Sequence, residues 1–221
     1  MKTMAFHLIA VIFIFSLFSA YHPLSVMAEE GLSEEISGEA LLVDDMEKNT
    51  NSLGGRCSVY VRAPSRLMFS KAPDTGYAKN DQPTKGLKIS YDKQAEGGPY
   101  GNGGWCGYYT LVHIGKNYLD ASGYKKLTFQ IKGEKGGENF KLGIADQQGE
   151  MIDDSTKTDC ITAYLPEGTV TTEWQKVEIP LEEVFVDWSM LHSISFCFET
   201  DCYEEGGQQG KIYIDDIQFE K

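Results

Sequence analysis

The segment KKLTFQIKGEKGGENFKLGIAD, residues 125–146, decides the fold class. Leu127, Phe129 and Ile131 fall on one side of an extended chain, and Lys126, Thr128, Gln130 and Lys132 on the other. After a glycine-rich turn the same alternation returns at Phe140, Leu142 and Ile144. A period of two, interrupted by turn residues, predicts two half-buried strands rather than a helix.

Working outward, Val177, Ile179 and Leu181 repeat the pattern after Trp174, as do Ile194, Phe196 and Phe198, and Leu87, Ile89 and Tyr91 give an earlier strand. No long stripe with a 3.6-residue period lies between them, so βαβ units are excluded. The expected class is all-β, a two-sheet antiparallel sandwich. The 221 residues, 41% apolar and 24% charged, suit one domain. The formal charge of −13, from 20 basic and 33 acidic residues, repels phosphate backbones and excludes nucleic acid as a partner.

The first residues read as a targeting segment: Lys2, an apolar run from Met4 to Ala20, and small residues around Val26-Met27-Ala28. The expected division is a signal peptide over 1–28, an acidic spacer over 29–40 and one domain over 41–221, with the product secreted or held in the periplasm or cell envelope and not inserted in a membrane after cleavage. An uncleaved anchor is the other reading of the same run. Of the five cysteines, Cys57, Cys106, Cys160, Cys197 and Cys202, two readings stand: two disulfides with one thiol left over, or buried free thiols. No Cys-x-x-Cys pair is present to suggest zinc.

Acidic clusters stand at both ends of the domain, Asp44-Asp45-Met46-Glu47 and Asp215-Asp216, the second inside the strand-like KIYIDDIQFE. Adjacent carboxylates in such a strand either face water at its end or hold a hard cation, which takes carboxylate and carbonyl oxygens. The glycine-rich GGPYGNGGWCG, residues 97–107, leads into a strand and not a helix, so it is no phosphate cradle. In that strand Trp105, Gly107, Tyr109 and Leu111 share one face, and Cys106, Tyr108, Thr110 and Val112 the other. With Tyr100 nearby, the region is rich in rings able to stack on a sugar. No nucleophile elbow or His-Glu-x-x-His is present, and acidic pairs such as Asp153-Asp154 and Glu182-Glu183 are inevitable among so many carboxylates. The chain is read as non-catalytic.

Taken in order, VDDMEKNTNSLGG (43–55), GWCGYYTLV (104–112), LDASGYKKLTFQIKGEKGGENFKLGIAD (119–146), TEWQKVEIPLEEVF (172–185), ISFCFE (194–199) and GKIYIDDIQFE (210–220) resemble family 11 carbohydrate-binding modules. They equally resemble the domain of the complex I intermediate-associated proteins. Both are galactose-binding-like jelly rolls. The resemblance implies a structural calcium, with Glu47 and Asp215 as leading ligands and Asp45 and Asp216 as alternates. It also implies a concave sheet face for a polysaccharide or cell-surface glycan, with Trp105, Tyr108, Tyr109, Gln130, Asp146, Trp188 and Phe198 as candidate contacts. Gly104 and Phe198 stand where those modules have tyrosines, and FVDWSM (185–190) replaces a loop supplying Arg and Asp, so the substrate does not carry over. The second class of function is an envelope assembly protein that binds a protein partner through the same face.

Overall fold

Every period-two segment forms a strand in the computed structural model, which describes residues 39–73, 75–77, 84–95, 104–112 and 117–221. The expected signal peptide, most of the expected spacer, Tyr100 with the loop before Gly104, and His113 lie outside the described residues. One sheet carries β3 (Arg66–Ala72), β4 (Gly86–Lys93), β11 (Gln208–Glu220), β6 (Lys126–Gly133) and β9 (Gln175–Pro180) in that order, with β1 (Ala40–Asp44) pairing the far end of β11. The other carries β2 (Cys57–Val61), β5 (Cys106–Leu111), β10 (Leu191–Phe198), β7 (Lys141–Asp146) and β8 (Thr156–Cys160). All of these pairings are antiparallel. A short helix, α1 (Gln147–Ile152), follows β7.

The apolar face of each strand meets its counterpart from the other sheet. Phe196 sits at the centre, its ring edge-on to Phe129 at 5.5 Å and to Phe140 at 5.6 Å. Such aromatic pairs add to the stabilisation that area burial already gives. In β11 the buried positions change parity, from Ile212 and Ile214 to Ile217 and Phe219, which requires one extra residue. A bulge supplies it: the register with β6 slips between Asp215 and Gln218, and Asp216 takes φ +50°.

Asp44 departs from the reading of exposed strand-end acids. It is fully buried, and its carboxylate accepts two hydrogen bonds from the Lys71 ammonium of β3 at 2.8 and 3.0 Å. Burial nevertheless raises its pKa above the usual carboxylate value, outweighing the pull of Lys71. Neither reading of the cysteines is realised whole. Cys160 and Cys202 form a disulfide that ties the end of β8 to the turn after β10, while Cys57, Cys106 and Cys197 are free thiols. Among the described residues no helix is long and apolar enough to cross a membrane.

Candidate functional site

The outer face of the second sheet is built as a row across all five strands. Ser58 pairs with Tyr109, Tyr109 with Ser195, Ser195 with Gly143, and Gly143 with Lys157. The neighbouring row runs Tyr60, Gly107, Cys197 and Lys141. Alternation puts all of these side chains opposite the core. Large rings therefore stand over β2 and β5, small residues form the middle, and lysines stand over β7 and β8.

The middle is a floor. Ser195 is 6% and Cys197 1% exposed although both point away from the core, because taller neighbours overhang them. Two glycines make this possible. A Cβ on Gly107 would lie 2.2 Å from the Tyr60 hydroxyl oxygen, and one on Gly143 would lie 2.5 Å from both Ser155 Oγ and Ser195 Oγ. Tyr60 thus lies over Gly107, and its hydroxyl reaches Cys197. Burial pushes both acid groups to higher pKa; Cys197 adds to the rise at Tyr60, whereas Lys157, Ser195 and Tyr60 pull the Cys197 thiol down without reversing the effect of burial, so the floor stays neutral. Above it Trp105 is 41% exposed, with the Tyr60 ring at 5.7 Å and the Arg62 guanidinium 6.0 Å from its own ring. Across the floor the Lys157 ammonium donates to Ser155 Oγ at 2.7 Å. The result is a trough with an aromatic wall, hydroxyls below and cationic donors opposite. That chemistry suits a polyhydroxylated ring; the two lysines are themselves ion-paired, Lys141 with Asp201 and Lys157 with Asp154.

Of the residues expected from the sequence, Trp105 and Tyr109 lie on this face. Tyr108 and Phe198 do not: both are fully buried, Phe198 stacked on Tyr91 at 4.0 Å and Tyr108 edge-on to Phe69 at 5.1 Å. They are corrected to core residues. Gln130 belongs to the outer face of the other sheet, paired with Lys176 and Asp215. Asp146 caps α1, accepting from the amides of Gly149 and Asp187, each at 2.9 Å. Burial works against ionisation there, but the Asp187 and Gly149 amides outweigh it and hold the carboxyl below its usual pKa. Trp188 packs on Phe219 and donates to the Leu181 carbonyl at 3.1 Å, so Asp146 and Trp188 brace one end of the sandwich. Tyr60 was missed because CSVYV is too short for its parity to be read, and only the pairing with β5 gives it a face. At Gly104, where the resemblance places a tyrosine, an added Cβ would fall 2.6 Å from Ser65 Oγ and 2.8 Å from the Arg62 carbonyl oxygen.

The acidic clusters separate as well. Glu47 Oε1 accepts from the Lys85 amide and Asp215 Oδ2 from the Tyr77 amide, each at 2.8 Å, so the two carboxylates hold two points of one connection between β3 and β4. Asp45 instead accepts from Ser52 within its own loop at 3.2 Å, and Asp216 occupies the bulge. Among the described residues no three His, Cys, Asp or Glu side chains converge as a metal group. Glu47 and Asp215 are thus the pair that reach the same connection, where each accepts a backbone N–H.

No curated protein matches this sequence. Among solved structures, a family 11 carbohydrate-binding module from Clostridium thermocellum, in complex with a β-1,3-1,4-mixed-linked tetrasaccharide, superposes with TM-score 0.60 at 17% identity, covering 81% of this chain and 94% of that one. A family 30 carbohydrate-binding module of a cellulosomal cellulase of the same organism superposes with TM-score 0.55 at 24% identity, covering 81% and 96%. These likenesses establish the fold. The expected kinship with family 11 holds at that level, whereas the sequence family that matches, over residues 67–221, is described as Carbohydrate binding domain 30, a family of binding domains and not of enzymes. The chain belongs to the carbohydrate-binding domain 30 family.

Proposed function

We propose that this domain holds a glycan chain in the trough on the outer face of the second sheet, with Trp105, Tyr60 and Tyr109 stacking on sugar rings and Ser195, Arg62 and Lys157 supplying hydrogen bonds. The observation that carries the reading is the row itself, in which the half-buried Tyr60 and Tyr109 rings, with the exposed Trp105 beside them, border a floor of glycines and small polar residues. Affinity per site is modest, because an open, solvated groove must offset the lost freedom of the glycan. A mixed-linked β-glucan is the first ligand to try, since the family 11 neighbour was solved with such a tetrasaccharide. The test is affinity electrophoresis or calorimetry on the full chain and on Trp105→Ala and Tyr109→Ala. Each variant should lose at least tenfold in affinity with its melting temperature retained. Binding that survives the double variant would remove the mechanism, and a stoichiometric protein partner displaced by neither glycan nor Trp105→Ala would favour the protein-binding reading.

The domain acts outside the cytoplasm, after export through its N-terminal segment. The Lys2, Met4–Ala20 and Val26-Met27-Ala28 pattern supports this, together with the Cys160–Cys202 disulfide, a bond that persists in oxidising compartments. Sequencing the N-terminus of the protein recovered from the source cell distinguishes a cut signal from a retained anchor. Calcium is structural, held by Glu47 and Asp215 with backbone carbonyls. A cation that binds only the folded state at about 100 times its Kd adds about 2.7 kcal/mol, so calcium should raise the melting temperature by several degrees over chelator. Glu47→Gln should abolish that rise, and a wild-type protein indifferent to calcium would refute the assignment.

A further inference from the structure

The outer face of the first sheet carries a second pattern that the trough does not use. Lys88 of β4 pairs with Tyr213 of β11, and Tyr213 with Lys132 of β6. Trp174, just before β9, completes the row. The Lys132 ammonium lies 4.9 Å from the Trp174 ring centroid and 5.3 Å from that of Tyr213, and Tyr77 meets Trp174 edge-on at 5.9 Å. Across four adjacent strands the order is therefore cation, ring, cation, ring. With strands about 4.8 Å apart the row is about 14 Å long, enough for a short oligosaccharide. All four of these side chains are half-buried, and Tyr77 is 37% exposed.

The charge here runs against that of the molecule. The chain carries −13, yet Lys88, Lys132, Lys135 and Lys211 gather on or beside this row. Lys211 is paired with Glu134, whose carboxyl is held below its usual pKa by Lys211 first and then by Lys135 and Lys88. Among the described residues Lys88 and Lys132 enter no ion pair. Lys132, held by the Trp174 and Tyr213 rings, and Lys88, which shares Glu134 with Lys211 and Lys135, leave net positive charge where a ligand's anionic groups would neutralise it, beside two aromatic rings. Gln130, on the same strand two residues from Lys132, adds an amide to this face.

We propose that the Lys88–Tyr213–Lys132–Trp174 row is a second glycan site, on the sheet opposite the trough, for an acidic, uronate-bearing polysaccharide. Membership of a carbohydrate-binding family supplies the ligand class, while the position and the charge preference are independent of the trough. Carboxylates of the chain pair with Lys88 and Lys132, and its rings stack on Tyr213 and Trp174.

The test is calorimetry on the full chain with hexagalacturonate, a mixed-linked β-glucan oligosaccharide and a single-stranded oligodeoxynucleotide of the same charge as the uronate. Hexagalacturonate should bind, and more weakly when sodium chloride rises from about 50 to about 200 mM. Lys88→Gln/Lys132→Gln should weaken it at least tenfold, Lys88→Arg/Lys132→Arg should restore it, and Trp105→Ala should leave it unchanged. No binding by the wild type, loss with Trp105→Ala instead of the lysine pair, or equal affinity for the oligodeoxynucleotide would each overturn the proposal. The β-glucan arm separates the two sites. Hexagalacturonate binding without β-glucan binding would sink the trough reading and leave this one standing.

Discussion

Replacing Lys71 with Met tests the account of how the acidic start of the domain is held. Lys71→Met keeps the length of the side chain and removes its ammonium, leaving the Asp44 carboxylate in a site where it is wholly buried and the lysine side chain was 5% exposed. Solvent cannot screen a charge enclosed to that degree, so the relevant magnitude is that of breaking a buried pair by removing one partner, about 3–5 kcal/mol. Two hydrogen bonds from Lys71 to Asp44 and one to the Thr50 carbonyl disappear together. Asp44→Asn/Lys71→Met removes both charges and should recover most of the loss. The pH dependence has a definite sign. Asp44 already has a raised folded pKa, and deleting Lys71 removes the two largest influences that lower it. A carboxyl with a raised folded pKa contributes stability that is present below its unfolded value, near 3.8, and is lost as pH rises through the folded value. The deficit of Lys71→Met should thus be smallest in acid and grow toward neutrality. Urea unfolding at a series of pH values reads both effects, with unchanged m-values confirming that the midpoint shift is a stability change. A single variant costing under about 1 kcal/mol, or a double variant no more stable than the single, would refute the reasoning.

Gly107→Ala drives a methyl group into Tyr60 and toward the Phe196 carbonyl oxygen, 2.7 Å from the new Cβ, so it should cost about 1–3 kcal/mol and weaken glycan binding by lifting Tyr60 from the floor; calorimetry and melting read the two effects separately. Tyr108→Phe should leave glycan binding unchanged and stability within about 1 kcal/mol of wild type in urea unfolding, since among the described residues the buried hydroxyl has only the weakly bonding Cys57 thiol beside it. A large loss of binding in that variant would restore Tyr108 to the site. Cys160→Ala/Cys202→Ala opens a loop with a sequence separation of 42, for which chain entropy gives about 4 kcal/mol as the expected loss, measured against the oxidised wild type.

The strands were legible because alternation is a local property. Leu127, Phe129 and Ile131 announce a face whatever they pack against, and all three are buried. Tyr108 and Tyr109 show where that legibility ends. The sequence places them on opposite faces, and that holds, but it does not say which face is the core; Phe196, Phe69 and the opposing sheet decide it. Phe198 was likewise expected at the ligand from the resemblance, while Tyr91 from the other sheet claims that ring. Asp44 and Asp45 are neighbours in sequence with opposite fates, one enclosed with a lysine 27 positions away and the other bound to its own loop.

What the sequence by itself determined was the all-β class, the two-sheet arrangement and the kind of domain, because side-chain period and motif order are written along the chain. Tertiary structure alone decided which rings are walls and which are core, that Tyr60, Gly107, Ser195, Gly143 and Lys157 share one trough, and that Lys88, Tyr213, Lys132 and Trp174 form one row. The physical reason is cross-strand register. Side chains 4.5–5.5 Å apart in a sheet come from positions far apart in sequence, and hydrogen bonding between strands, not the order of residues, brings them together, roughly as the pairing spacing requires.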